Sequence, residues 1–392
     1  MPKQEQNTPA LRFPEFDGDW HYLALNAVTS KIQDGTHFSP QLTEDGKYLY
    51  ITSKNIRMGY LDLNDVSFVS EHEHRNIYKR CDVSENDVLL TKDGASTGNV
   101  CINTLKEPFS LLSSVAFLRA NPEKCLHSFL YQILASGNGQ RRILESIAGQ
   151  AITRITLEKL RSYKFFFPKV PEQKKIAAFL GAVDEKIAQL QKKKDLLEVY
   201  KKGCMQKLFS QAIRFTDDNG NPFPDWGKKT VANAFSPIPT KRFQIKSNEI
   251  LETGEIPVVD QGQSSIAGYT DQENKIFNAK EIPVVIFGDH TTAVKFLDFK
   301  FVVGADGTKI LSSKGDKIRY LYYALQFFNV EAEGYKRHFS ILKEIALPIP
   351  HLDEQKKIAD FLSEIDNKIA LVSGELNKAK IFKKGLLQQM FV

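Results

Sequence analysis

Short polar runs are scattered through the chain, and each can be tested against the spacing that a reaction would need. DGASTG at 93–98 and FGDHTT at 287–292 are turns after apolar stretches. Neither has the GxGxxG spacing, nor the clear following helix, that cradles a nucleotide cofactor. There is no Asn/Asp-Pro-Pro-aromatic run of the kind expected for methyl transfer to an exocyclic base amine, and no Walker loop. Asp184-Glu185-Lys186 has the letters of a metal nuclease centre. It lies within a helical run, however, and recurs as Asp366-Asn367-Lys368, so it reads as a solvated helix face. His72 and His74 alternate as zinc ligands do but have no Cys or His partners at fitting spacing, and they read as exposed loop histidines. Ser, His and acidic residues form no nucleophile motif. The expectation is a chain with no catalytic residue, no metal and no cofactor of its own.

What remains is a set of polar loops between apolar strand-like runs, at comparable places in the two halves. In the first half these are Ser53, Lys54 and Asn55; then Lys92, Asp93, Ser96, Thr97 and Asn99; then Gln150 and Arg154. In the second half they are Gln261 and Gln263; then Asp289, His290, Thr291 and Thr292; then Lys336, Arg337 and His338. Such side chains suit base edges. Asn and Gln bond adenine in bidentate fashion, Arg and Lys bond guanine, Asp accepts from cytosine, and the Thr methyl meets the thymine methyl. Ordinary turns are rich in the same residues, so the set carries more weight than any member. Gln150, Arg154 and 336–338 can also be read as orienting a helix junction.

The elements that must position these loops are declared by a repeat. Glu172 to Leu180 reads EQKKIAAFL, and Glu354 to Leu362, 182 positions later, reads EQKKIADFL. From Glu172 to Ala188 against Glu354 to Ala370, 12 of 17 positions are identical. A single duplication of this size signals two tandem domains rather than a solenoid. Each copy opens similarly, with Leu11-Arg12-Phe13-Pro14 leading to Trp20 and Ile213-Arg214-Phe215 leading to Trp226, and each closes in a long helix. In the first helix Ile176, Leu180, Val183, Ile187 and Leu190 step by four and three, and Lys194 and Lys201 interrupt the later stripe. In the second, Ile358, Leu362, Ile365, Ile369 and Val372 repeat it. Both are coiled-coil seams. Pro168, Pro171, Pro348 and Pro350 set the helix starts, while Gly203 and Gly385 predict late weakening. Helices of roughly 35–40 residues would extend about 50–60 Å, which suits spacers.

Bulk composition fits two ordinary cores: 392 residues, 42% hydrophobic and 26% charged. The net charge of +6 is concentrated on the helical segments, which hold nine Lys against five acids at 171–210 and seven against six at 353–392. Charge alone therefore does not announce nucleic-acid binding by the globular parts. Cys81, Cys101, Cys125 and Cys204 are widely spaced and read as structural thiols. With no leader-like or membrane-length apolar stretch, a cytoplasmic protein without a membrane role is expected.

The fold class expected is α+β: two tandem mixed α/β domains, each followed by a long helix, the helices forming an antiparallel coiled coil with pseudo-twofold symmetry. With its duplicated EQKKIA(A/D)FL helix, its Phe-Pro-Glu-Phe run leading to Trp20, and two divergent modules, the chain resembles the specificity subunit of type I restriction-modification systems. The resemblance spans essentially the full length and is most specific at Pro168 to Ala188 and Pro350 to Ala370. It implies target recognition domains at 1–167 and 211–349, with conserved helices at 168–210 and 350–392. It also implies a bipartite double-stranded DNA target, one half-site per domain, with the paired helices setting the unread gap. Two modification subunits would bind S-adenosylmethionine and methylate adenine, and two restriction subunits would supply ATP- and Mg-dependent translocation and cleavage. Two alternatives stay open: a coiled-coil adaptor with no DNA role, and a stand-alone DNA-modifying enzyme with an unrecognised motif.

Overall fold

The computed structural model describes residues 7–44, 46–145, 147, 154–277, 279–304, 306–334 and 336–392. The chain divides into two compact units, one formed by the residues up to Lys192 together with Ser373–Val392, the other by Lys193–Val372. The division cuts both long helices, Val170–Phe209 and Leu352–Gln389. Each unit therefore owns the beginning of one helix and the end of the other.

The two units repeat one architecture. In the first, a four-stranded antiparallel sheet runs in the order Thr29–Asp34, Val115–Ala120, Val88–Thr91, Val100–Ile102. In the second the order is Phe235–Ile238, Thr308–Ser313, Val284–Gly288, Val294–Leu297. The inner strands Val88–Thr91 and Val284–Gly288 are buried along their whole length, which is why they read as continuous apolar runs. A smaller sheet in each unit contains one parallel pair, Ser110–Leu111 with Tyr48–Ile51 and Val302–Val303 with Ile256–Val259. One helix in each unit, His127–Ala135 and Ile318–Phe327, packs into the same core as the long helices. The mixture expected from sequence is present, and the order of strands was conserved while the sequences diverged.

A two-stranded ribbon brings the start of each domain to the start of its long helix: His21–Ala24 with Lys164–Phe167, and Gly227–Thr230 with Ala346–Ile349. This places Trp20 and Arg12 on Glu172. The guanidinium binds both carboxylate oxygens at 2.8 Å, and the indole N–H donates at 3.3 Å. The second copy is equivalent, with Arg214 at 3.1 and 2.8 Å and Trp226 at 2.9 Å from Glu354. Bonding to these carboxylates holds Arg12 and Arg214 above the ordinary arginine value. The next residue of the repeat is equally committed. Gln173 accepts from the Leu126 N–H and donates to the Lys124 and Pro168 carbonyls, while Gln355 accepts from the Lys317 N–H and donates to Pro350 and Asp316. The Glu-Gln of the repeat is thus a buried clasp between each domain and its helix, a role that the helical stripe did not reveal.

Both helices continue through Gly203 and Gly385, against the expected weakening. Helical glycine costs about 1 kcal/mol relative to Ala, and adjacent burial outweighs it. Cys204, Met205, Leu208 and Phe209 enter the core of the second unit, and Leu386, Leu387, Met390 and Phe391 that of the first. The seam residues Ile176, Leu180, Leu190, Ile358, Leu362, Ile365 and Val372 are buried, and Val183, Ile187 and Ile369 half-buried.

His72 and His74 lie on the helix Glu71–Tyr78 rather than in a loop. His74 is buried, with Nδ1 3.0 Å from Ser110 Oγ and its ring stacked 3.8 Å from Tyr48. Burial pulls its pKa below the ordinary 6.5, opposed by Glu71. Its neutral form therefore supports the fold fully above pH 6.5. That contribution is lost as pH falls through the lowered value, with a limiting slope of about 1.4 kcal/mol per pH unit. The melting temperature of the first unit is expected to fall between pH 7 and pH 5, and His74→Phe should flatten that dependence; an identical pH profile in the variant would exclude His74 as its source.

Burial pushes the thiols of Cys81, Cys101 and Cys125 up to about 12, as suits structural cysteines. Among the described residues no helix is long and apolar enough to cross a membrane, and no group of three His, Cys, Asp or Glu is placed to hold a metal.

Candidate nucleic-acid interface

In each unit the polar loops chosen from sequence converge beside the inner strand. In the first, Ser96 Oγ donates to the Ser53 carbonyl at 3.4 Å, Asn99 Nδ2 to the Ile56 carbonyl at 3.0 Å, and the Ser53 N–H to Ser114 Oγ at 3.3 Å. Arg154 joins them through a backbone bridge to Asp93 and an ion pair at 3.5 Å. Thr97 closes its own turn on the Gly94 carbonyl, and Lys54 reaches Asp65 at the surface. Gln150 lies outside the described residues.

The second unit is tied more tightly. Gln261 donates to the Asp306 carbonyl and accepts from the His290 N–H, Thr291 Oγ1 donates to the Gln261 carbonyl, and Gln263 reaches the Thr291 carbonyl at 3.4 Å. His290 Nδ1 sits 3.1 Å from the Lys336 carbonyl. Thr292 holds a left-handed backbone with φ 55°, unusual for a β-branched residue, in the turn where the first unit uses Gly98 at φ 99°. The Asn329 amide clamps it by donating to its carbonyl. Behind the turn, burial pulls the Lys295 ammonium below its ordinary value, against the attraction of Asp260, whose carbonyl it contacts at 2.8 Å.

Four of the residues selected from sequence are turned inward. Asn55 is 1% exposed and spends its amide on the Asp62 and Asp65 carbonyls and its carbonyl oxygen on the Thr52 N–H. Lys92, 1% exposed, lies between Asp34 at 3.4 Å and Asp93 at 3.3 Å. Asp289 accepts from the Phe339 N–H and pairs with Lys309, and His338 bonds the Asp289 carbonyl and the Glu333 N–H. These groups shape the loops from within, because a buried polar group must use its bonding capacity internally. Lys92 and Asp289 hold the same structural position, each receiving a backbone N–H from the returning segment, Ile155 and His338 respectively. The buried charge is opposite in the two domains.

Side chains left towards solvent include Ser53, Lys54, Ser96, Thr97, Arg154, Gln263, Lys336 and Arg337. Sequence reading missed Gln244, Asp306 and Lys309, which with His290 and Arg337 line a polar hollow of about 270 Å³. The Asp306-Gly307 turn dipeptide, with Gly307 at φ 91° against the Gln261 amide, was the available signal.

Two equivalent domains, each with a loop cluster and a clasped long helix, match the type I restriction modification DNA specificity domain twice, over residues 18–199 and 225–380. The chain belongs to this family. It is a type I specificity subunit with two tandem recognition domains, the component of such complexes that is not itself catalytic. It is 25% identical, over 98% of its own length and 95% of the relative's, to a putative type I restriction enzyme specificity subunit, MjaX, of Methanocaldococcus jannaschii. It is 36% identical over 155 residues to the EcoR124I/EcoR124II specificity subunit of Escherichia coli, covering 36% of this chain and 38% of that one. Its fold matches the crystal structure of the S subunit of a type I system from M. genitalium with a TM-score of 0.66 at 18% identity, covering 98% and 99% of the two chains.

Proposed function

We propose that this specificity subunit reads a bipartite DNA target, one half-site per recognition domain, and that its two long helices form an antiparallel coiled coil that holds the halves at a fixed separation. The observation that carries this is the reciprocal sharing of the helices. The first unit contains the start of one helix and the end of the other, and the second unit the converse. Two readers on a rigid spacer impose a fixed half-site separation, as dimer geometry does for other DNA-binding proteins. The solvent-facing residues of the loop clusters are the base-reading candidates.

Exposed apolar pairs recur at the 182-residue offset, Val199-Tyr200 on one helix and Ile381-Phe382 on the other, with exposures of 70%, 55%, 62% and 56%. Apolar side chains on otherwise polar faces fit protein docking, and two equivalent patches favour two copies of one partner. We assign them to two modification subunits, which would carry S-adenosylmethionine and methylate an adenine in each half-site. Restriction subunits would add ATP- and Mg-dependent cleavage. Basic surface on those partners would complete the phosphate neutralisation that this nearly neutral pair of domains lacks. The complex would operate in the cytoplasm.

The test is coexpression with the resident modification subunit in a host lacking adenine methylation, with methyladenine mapped by long-read sequencing and stoichiometry by native mass spectrometry. A split asymmetric motif that disappears when this chain is omitted, on a complex with two modification subunits, is expected. A soluble complex that writes no new motif would overturn the reading.

A further inference from the structure

Lysines Lys201 and Lys383 stand at the same place in the two helices, 182 positions apart, and Asp184 and Asp366 are related by the same offset. In the second unit Lys201 Nζ lies 2.7 Å from Asp366 Oδ1, with side-chain exposures of 16% and 35%. In the first, Lys383 Nζ lies 2.5 Å from Asp184 Oδ1, with exposures of 14% and 32%. Lys201, read from sequence as an interruption of the apolar stripe, is therefore paired across to the other helix, and Lys383 repeats that pairing in the first unit.

Each pair also holds its recognition domain. Tyr323 donates its hydroxyl to Asp366 Oδ2 at 2.7 Å, and its ring lies 5.1 Å from Lys201 Nζ. Gln132 donates to Asp184 Oδ2 at 2.8 Å, and the Tyr131 ring lies 5.6 Å from Lys383 Nζ. We propose that these two joints are the register pins of the spacer, fixing at once the axial stagger of the helices and the seat of each recognition domain on them, and so the gap length the complex accepts.

Apolar seams alone specify stagger weakly, because a slip of one heptad puts apolar residues opposite apolar residues again. The joints remove that degeneracy. Seven residues either side of Asp366 stand Ala359 and Ser373, and either side of Asp184 stand Ala177 and Gln191. A slipped pair would leave a largely buried ammonium with no carboxylate, a strongly unfavourable state. The domain hydroxyl or amide, bonded to the second carboxylate oxygen, carries the same choice into the recognition domain.

This inference rests on the bipartite reading, and the experiment separates their failures. Methylation by the wild-type complex is first measured on targets whose gaps differ by one base pair in either direction; absence of any split motif at this step would count against the reading itself. Lys201→Met and Asp366→Asn are then expected to reduce gap discrimination by at least tenfold while both half-site sequences stay the same. Lys201→Asp combined with Asp366→Lys should recover most of the discrimination, and Tyr323→Phe, which keeps the ion pair and the ring contact but removes the hydroxyl bond to Asp366, should give an intermediate loss. Melting curves identify any variant that fails to fold, in which case Tyr323→Phe and the charge exchange decide. Unchanged discrimination in folded variants, or a charge exchange no better than the single substitutions, would overturn the proposal.

Discussion

Insertion of four residues after Gln191, together with four after Ser373, is expected to lengthen the unread gap by about two base pairs and to leave both half-site sequences intact. Gln191 and Ser373 are equivalent in the repeat, and each lies between the two ion-paired positions of its helix, Asp184 and Lys201 in one and Asp366 and Lys383 in the other. Four residues add about 6 Å, against about 3.4 Å for each base pair of DNA. Four is also close to a whole turn, so the apolar stripe resumes on the same side after a local unwinding. Insertion in one helix alone should abolish modification, because the two pairs can then no longer form together. Methyladenine mapping gives the result, and an unchanged gap after the double insertion would rule out a ruler built from these helices.

Removing the clasp is expected to have the largest effect on stability. Glu354 is 0% exposed and accepts from Arg214 and Trp226 at once, and Glu172, 3% exposed, does the same for Arg12 and Trp20. Either Glu→Ala substitution takes the acceptor from an indole N–H and the carboxylate from a guanidinium, which keeps backbone carbonyl partners at Asp17 and Gly18 in the first copy and at Phe223 and Pro224 in the second. Loss of one partner from a fully buried pair costs about 3–5 kcal/mol. Here the arginine side chains are 17% and 23% exposed and recover some hydration, so about 2–4 kcal/mol is expected. That corresponds to a fall of roughly 5–15 °C in the melting temperature of the affected unit. Glu172→Ala should move the transition of the first unit and Glu354→Ala that of the second, as read by calorimetry. A shift below about 1 °C in either variant would show that the ribbon and core hold the helix start without the carboxylate.

The clasp also explains why Glu-Gln begins both repeats. A helix used only as a spacer asks for an apolar stripe and a polar face, which many sequences provide. A helix start that must satisfy a domain's arginine, tryptophan and backbone at once accepts few alternatives. Those partners lie 152 and 160 residues away in the first copy, so nothing local to EQKKIA marks the role.

The sequence by itself determined the duplication, the two long helices and the apolar stripe along each, and the presence of a mixed domain before each, because repeats and burial periodicity are written along a single element. It also identified the loop sets that the structure brings together, since turn residues follow directly from local backbone geometry. Only the tertiary structure decided what individual polar residues do. Lys201, read as a flaw in a stripe, pairs with a residue 165 positions away on the other helix; Lys92 and Asp289, read as candidates for contact with DNA, are buried with opposite charge at one structural position; and His74 left its supposed loop for a stacked, buried site. Periodicity reports whether a position faces inward. Which partner satisfies a charge there depends on elements brought together by folding, and a polar residue that would be costly alone becomes the most specific contact once its partner arrives.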